Sequence, residues 1–147
     1  MKKFVIILAL LLVLGSLTVF AHGDTAEVVF KELKSLEGKE IPSNFKSAFG
    51  SETVDAELIH EDGEVSYFTV ITKDGKVTSV TQERASSPTV KVTVKEGVLL
   101  ALNDAQNQKD QKKILKTAVK NKDITVKGVG WRRGLRFGFY KIAARFL

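Results

Sequence analysis

Side chains capable of chemistry are few in this sequence. It has two histidines, His22 and His60, and no cysteine, which excludes a disulfide scaffold, a thiol nucleophile and a Cys-ligated zinc. If the chain is cleaved after Ala21, the new amino group and the imidazole of His22 form a pair suited to copper, with His60 as the only second imidazole. Because His60 adjoins Glu61 and Asp62 at a predicted hairpin turn, we expect an ordinary solvated histidine there rather than a metal ligand.

Recognisable catalytic motifs are missing as well. The chain has no G-x-S-x-G motif, and any Ser–His–acid triad would have to use His60. The carboxylates cluster in the N-terminal third, which we expect to be solvated, and they form no recognisable acid/base pair. The sequence GVGW at 128–131 has only the first two glycines of a phosphate-binding G-x-G-x-x-G motif, and Arg133 stands where the third would be. We therefore predict a protein that is not an enzyme and that has no cofactor and no bound metal.

The first 21 residues have the pattern of an export signal. Lys2 and Lys3 precede residues 4–20, which contain no charged side chain and are just long enough to span a bilayer. Val19 and Ala21 supply small residues at the positions that a signal peptidase requires. Whether this segment is cleaved or retained as an anchor, the lysines stay inside and residues 22–147 are exported as a single domain. We expect a secreted or extracytoplasmic protein.

The net charge of +6 is distributed unevenly along the chain. Residues 24–64 hold eleven acidic side chains and four lysines, whereas residues 109–147 hold twelve Lys or Arg and two aspartates. This asymmetry suggests that the C-terminal part meets something anionic, such as lipid head groups, a polyanion or the acidic first part of the same domain. The alternative is a basic face that is simply solvated.

Apolar periodicity predicts an α+β domain. Val54, Ala56 and Leu58 alternate with Asp55 and Glu57, which is typical of a strand with one wet face. The Asp-Gly pair within the turn at 73–76 favours a two-residue type I′ hairpin. The predicted elements are helices at 25–37, 42–49, 95–103, 104–120 and 130–147 and strands at 53–58, 65–72, 77–84, 89–94 and 123–129.

From about Val54 onward the sequence resembles the sterol carrier protein 2 family. The resemblance consists of the meander with its turn at 73–76, the segment PTVKVTVKEGVLLAL at 88–102 and the segment ITVKG at 124–128. It implies a five-stranded, predominantly antiparallel mixed sheet with helices packed on one face. It also implies an apolar tunnel between sheet and helices that binds fatty acyl chains, sterols or other lipids. The export segment departs from the family, whose members are usually intracellular.

The resemblance places candidate tunnel residues on three helical segments. They are Val98, Leu99, Leu102, Ile114, Leu115, Val119, Leu135 and Phe139. The leading hypothesis is therefore a noncatalytic domain that binds or transfers lipids or other hydrophobic ligands outside the cytoplasmic membrane.

The predicted C-terminal helix has an aromatic stripe flanked by basic side chains. This pattern suits a membrane interface, where rings lie at head-group depth and guanidinium groups meet phosphates. The residues expected to contact a membrane or another anion are Trp131, Arg132, Arg133, Arg136, Lys141 and Arg145. The stripe could instead pack on the sheet as core. Nucleic acid or another polyanion is a third possible partner, which we do not expect because basic charge alone is nonspecific. A second hypothesis for the whole chain is an envelope interaction module that binds an anionic surface or protein partner through this helix, without an internal ligand.

Overall fold

The computed structural model describes residues 25–41 and 51–129. Three helices and five strands lie within these ranges. In chain order they are α1 (Thr25–Lys34), β1 (Thr53–Ile59), β2 (Val65–Lys73), β3 (Lys76–Thr81), β4 (Val90–Lys95), α2 (Glu96–Asp104), α3 (Gln108–Lys120) and β5 (Ile124–Gly128). The predicted helices at 42–49 and 130–147 fall outside the described residues.

The five strands form one mixed sheet in the order β3-β2-β1-β4-β5. β1 and β4 run parallel in its centre, and all the other neighbours are antiparallel. The predicted α+β class and the predominantly antiparallel five-stranded sheet are therefore confirmed. The chain passes from β3 on one side of the sheet to β4 on the other through residues 82–89, which is what makes the central pair parallel.

The described helices cover one face of this sheet. Leu58, Val94 and Ile124 lie side by side across β1, β4 and β5, so they share a face, and all three are buried. On the same face α1 packs against β2 and β3, α2 against β4 and α3, and α3 against β5. The rings of Phe30 on α1 and Phe68 on β2 stack with centroids 6.4 Å apart. Sheet and helices thus enclose one hydrophobic core, as predicted.

The hairpin between β2 and β3 has the turn that the sequence predicts. Asp74 and Gly75 both have positive φ, 50° and 79°, as the two central residues of a type I′ turn require. Asp tolerates the left-handed region better than most residues, and glycine has no penalty there. This turn connects the strands in the register that places Val70 opposite Val80, and both side chains are buried.

Several predicted boundaries differ from the structure, among them the end of the first helix, which is Lys34 rather than residue 37. The third strand ends at Thr81 rather than at residue 84. The chain turns there over the face of the sheet that the helices do not cover, and the Thr69 hydroxyl donates a 2.8 Å hydrogen bond to the Glu83 carbonyl. The helix predicted from residue 104 begins at Gln108, since the Asn107 side chain accepts a 2.9 Å hydrogen bond from the Asp110 N–H and caps it.

The prediction that one face of β1 is exposed to solvent is wrong at Asp55. Its side chain is 0% exposed, because the segment after β3 covers it. One carboxylate oxygen accepts a long hydrogen bond from the Ala85 N–H, and the other has no partner among the described residues. Alternation correctly predicted which face Asp55 lies on, but a covering segment from elsewhere in the chain determines its burial.

Candidate ligand-binding cavity

A cavity of about 830 Å³ opens between the helix pair α2–α3 and the ends of the parallel strands β1 and β4. We call it the α2–α3 cavity. It forms where the two central strands end side by side, with Ile59 opposite Lys95, and α2 starts directly after β4. Its lining comprises Ile59, His60, Glu61, Lys95, Glu96, Gly97, Val98, Ala101, Asp110, Lys113, Ile114, Thr117, Ala118 and Asp123.

The lining combines an apolar wall with a charged rim. Five aliphatic side chains line it, namely Ile59, Val98, Ala101, Ile114 and Ala118. The charged lining residues are four carboxylates and two lysines, namely Glu61, Glu96, Asp110, Asp123, Lys95 and Lys113. Lys95 and Asp123 form an ion pair of 2.8 Å. Apart from this ion pair, the rim has three carboxylates and one lysine among the described residues, so it is net acidic.

His60 is the centre of a polar cluster on this rim. Its Nε2 lies 2.7 Å from the Ser66 hydroxyl oxygen on β2, and its Nδ1 lies 3.4 Å from a carboxylate oxygen of Glu96 on α2. The His60 side chain is only 18% exposed. The expectation of an ordinary solvated histidine at the hairpin is therefore wrong, because β2 and α2 enclose the ring from two sides.

Glu96 is held by several donors at once. Its second carboxylate oxygen accepts a 3.0 Å hydrogen bond from the Glu61 N–H, and the hydroxyl of the buried Thr25 also donates to the carboxylate. Burial raises the pKa of Glu96, but the hydrogen bonds from Thr25 and Glu61 and the interaction with His60 outweigh it and leave the pKa below its ordinary value. The carboxylate is therefore ionised at neutral pH.

The predicted tunnel residues divide into two groups. Val98 and Ile114 line the α2–α3 cavity. Leu99, Leu102, Leu115 and Val119 are buried in the hydrophobic core and are not part of the lining. Leu135 and Phe139 lie outside the described residues. Ligand contact by any of these side chains stays a prediction.

Sequence reasoning missed the polar part of the lining and some of its aliphatic part. His60 and Glu96, and the aliphatic Ala101, were not among the predicted binding residues, yet all three line the cavity. One sequence signal could have identified Glu96 as a lining residue, because it stands at the start of a helix that directly follows a strand. The parallel pairing of β1 with β4, which brings His60 beside that helix start, has no local signature.

The predicted membrane- and anion-binding residues lie outside the described part of the chain. This concerns Trp131, Arg132, Arg133, Arg136, Lys141 and Arg145, and also His22. Within residues 25–41 and 51–129, no helix has the length and hydrophobicity needed to cross a bilayer. The same ranges contain no group of three or more His, Asp or Glu side chains arranged to hold a metal ion.

The chain is similar to solved sterol carrier protein structures. The Sterol Carrier Protein 2 Like 2 of Aedes aegypti is 22% identical with a TM-score of 0.47, and the match covers 69% of this chain and 83% of that one. Sterol Carrier Protein 2 of Yarrowia lipolytica in its apo form is 13% identical with a TM-score of 0.45, and the match covers 76% of this chain and 93% of that one. The sterol carrier protein domain 2 of Helicoverpa armigera is 18% identical with a TM-score of 0.45, and the match covers 80% of this chain and 85% of that one.

The chain matches no protein-family model and none of the curated proteins with which it was compared. At these low identities and TM-scores, the likeness to solved structures concerns chain architecture alone. The function proposed below rests on the α2–α3 cavity and on the sequence.

Proposed function

We propose that this protein binds lipids or other hydrophobic ligands in the α2–α3 cavity, and that it does so outside the cytoplasmic membrane. The observation that carries the binding proposal is the cavity of about 830 Å³ with an aliphatic wall and a charged rim. Ligand sites in proteins typically have volumes of about 300–1,000 Å³ and combine an apolar lining with a few polar groups. A ligand with an apolar chain and a polar head matches this arrangement.

The binding energy would come mainly from burial of the chain. Each methylene transferred from water into an apolar site contributes about 0.8 kcal/mol. Val98 on α2 and Ile114 on α3 both line the cavity, so the chain would lie beside both helices. The ligand would then gain affinity with each added methylene until the cavity is full.

The proposed location is supported by the sequence of residues 1–21. Two lysines followed by an uncharged apolar stretch favour export, and both cleavage and retention place the rest of the chain outside. Fractionation of cells together with N-terminal sequencing of the protein tests this. A protein recovered from the cytoplasm with Met1 intact would contradict it.

The binding proposal is tested by filling the cavity. Thr117 and its neighbour Lys116 are both exposed residues of α3, but only Thr117 lines the cavity. Titration with the fluorescent probe cis-parinaric acid methyl ester should show saturable binding to the wild-type chain. Thr117→Trp should weaken it about tenfold or more, and Lys116→Trp should leave it unchanged.

Two results would overturn the binding proposal. One is equal affinity in the Thr117→Trp and Lys116→Trp variants, which would place the ligand elsewhere. The other is the absence of saturable binding by the wild-type chain together with the absence of lipid in organic extracts of the purified protein.

A further inference from the structure

Three side chains beside the α2–α3 cavity form a relay of hydrogen-bonding groups. Ser66 Oγ lies 2.7 Å from His60 Nε2, and His60 Nδ1 lies 3.4 Å from Glu96 Oε1. They come from β2, from the turn after β1 and from the first residue of α2. A hydroxyl nucleophile, an imidazole base and a carboxylate that orients the base are the parts of a serine-hydrolase site, which is recognised by geometry rather than by sequence order.

The hydrogen-bond partners in this cluster favour the arrangement that such chemistry requires. The Glu96 carboxylate is ionised because its oxygens accept hydrogen bonds from Thr25 and Glu61. A carboxylate opposite Nδ1 favours the tautomer of His60 with its proton on Nδ1. Nε2 is then a hydrogen-bond acceptor, and the Ser66 hydroxyl donates to it. This polarises the hydroxyl toward loss of its proton.

Two of the three groups, His60 and Glu96, line the α2–α3 cavity. Ser66 is not part of the lining, but its hydroxyl lies 2.7 Å from His60 Nε2. Ser66 lies directly opposite the buried Leu58, so its side chain is on the face of the sheet that the helices cover. The three groups are therefore not an exposed surface cluster. The His60 and Glu96 side chains are 18% and 15% exposed.

The start of α2 offers donors for a developing negative charge. The residue before the helix, Lys95, provides no side-chain cap, and Gly97 and Val98 of the first turn line the cavity. First-turn N–H groups have no partner within a helix and carry its positive dipole end. At Gly97 nothing lies within 4 Å of the place where a Cβ would stand, so a carbonyl oxygen can approach the backbone there.

We propose that Ser66, His60 and Glu96 cleave neutral acyl esters whose chain lies in the α2–α3 cavity. This proposal rests on the proposed binding function and adds the class of ligand. The rim remains net acidic after Lys95 pairs with Asp123, so it disfavours a carboxylate head and tolerates an uncharged ester. The fatty-acid product is an anion and is repelled by the same rim.

The chemical steps balance with water as the only co-reactant. Ser66 Oγ bonds to the ester carbonyl carbon while its proton passes to His60 Nε2. The carbon–oxygen bond to the alcohol breaks, and the alcohol leaves with that proton. Water then attacks the acyl-serine and gives a proton to Nε2, the bond from carbon to Oγ breaks, and Oγ takes the proton back. Glu96 does not exchange a proton; it holds the imidazole.

The test combines covalent labelling with turnover in the full chain. A fluorophosphonate probe should phosphonylate Ser66 with loss of fluoride, and peptide mapping should locate the label there. Hydrolysis of p-nitrophenyl laurate should fall by about 100-fold or more in Ser66→Ala and His60→Gln, and by less in Glu96→Gln. Ser79→Ala, which changes a half-buried serine of β3, should label and turn over like the wild type.

Binding is measured separately, so that the two proposals fail in different ways. Dodecyl ethyl ether should displace cis-parinaryl alcohol, an uncharged probe without an ester bond, from Ser66→Ala as well as it does from the wild type. Normal binding with no label on Ser66, or equal turnover in Ser66→Ala, would overturn the triad and leave the binding function standing. A label on Ser66 without saturable binding would overturn the binding function instead. A purely structural role for Ser66 would change the melting temperature and produce no label.

Discussion

The imidazole of His60 and the carboxylate of Glu96 face each other with 3.4 Å between Nδ1 and Oε1. His60 directly follows β1, and Glu96 directly follows β4, so the pair joins the ends of the two strands that run parallel in the sheet. Both side chains line the α2–α3 cavity. One contact thus connects the centre of the sheet, the start of a helix and the proposed ligand site.

Glu96 should make the stability of the fold depend on pH in acid. Its pKa lies below the ordinary value of 4.5, because hydrogen bonds from Thr25 and Glu61 and the contact with His60 outweigh the effect of burial. A lowered carboxyl pKa contributes stability that is present above the unfolded value and is lost as pH falls through the folded value. Glu96→Gln should lower the free energy of unfolding at neutral pH by about 1–2 kcal/mol.

Urea unfolding between neutral pH and pH values below 4.5 checks this. The difference between wild type and Glu96→Gln should shrink as the medium becomes more acidic. Glu64→Gln, at an exposed position of the turn between β1 and β2, serves as the control and should leave stability unchanged at every pH. A difference for Glu96→Gln that stays constant with pH would contradict the proposed role of its charge.

Glu37 should connect the end of α1 to the edge strand β3. Its carboxylate accepts hydrogen bonds of 2.7 Å from Lys34 Nζ and from the Val80 N–H, and these bonds lower its pKa. Glu37→Ala should therefore lower the urea midpoint at neutral pH. The loss should vanish as pH falls through the lowered folded-state pKa. Glu32→Ala, on α1, is the control; an equal loss in both variants would show that the Val80 contact contributes nothing.

Two glycine substitutions should change the free energy of unfolding in opposite directions. Gly97 is in the first turn of α2, and a Cβ there would meet nothing within 4 Å, so Gly97→Ala should raise the free energy of unfolding by about 0.5–1 kcal/mol. Gly63 has φ of +89°, so Gly63→Ala should destabilise by about 1 kcal/mol or more through backbone strain. Thermal and urea unfolding measure both. Destabilisation by Gly97→Ala would mean that the first turn cannot accept a side chain.

Core and cavity positions should separate stability from binding. Leu102 is 0% exposed and belongs to the core, so Leu102→Ala should destabilise by about 2–5 kcal/mol. Ile114 is half-buried and lines the cavity, so Ile114→Ala should cost less stability and weaken binding of cis-parinaric acid methyl ester more. Binding is measured at a temperature where both variants are folded. A greater loss of binding in Leu102→Ala than in Ile114→Ala would contradict this division.

Local patterns predicted much of the fold because they depend on neighbours in sequence. The Asp74-Gly75 turn follows from the positive φ that its two residues tolerate, and the strands follow from alternating apolar residues. The two buried carboxyl side chains at Glu52 and Asp55 were not predicted. Their burial depends on contacts with chain segments far away in sequence, such as the one that includes Ala85.

The site was harder to predict than the fold for the same reason. Val98 and Ile114 were among the candidates that the family resemblance placed on the helices, and both line the cavity. The meeting of Ser66, His60 and Glu96 requires a hairpin, a parallel strand pair and a helix start to converge, and no spacing in the sequence encodes that convergence. With only His60 in the described residues to serve as an imidazole base, its surroundings decide what chemistry this cavity can do.

The most direct test of the account is to locate a bound acyl chain by photocrosslinking. A methyl ester of a fatty acid with a diazirine near its end would be irradiated with the full chain and mapped by mass spectrometry. We predict saturable crosslinks to the aliphatic wall of the α2–α3 cavity, at Val98, Ala101 or Ile114, which Thr117→Trp should suppress and Lys116→Trp should not. Crosslinks confined to the opposite face of the sheet, at Ile71 for example, would contradict the central claim that this cavity binds the ligand.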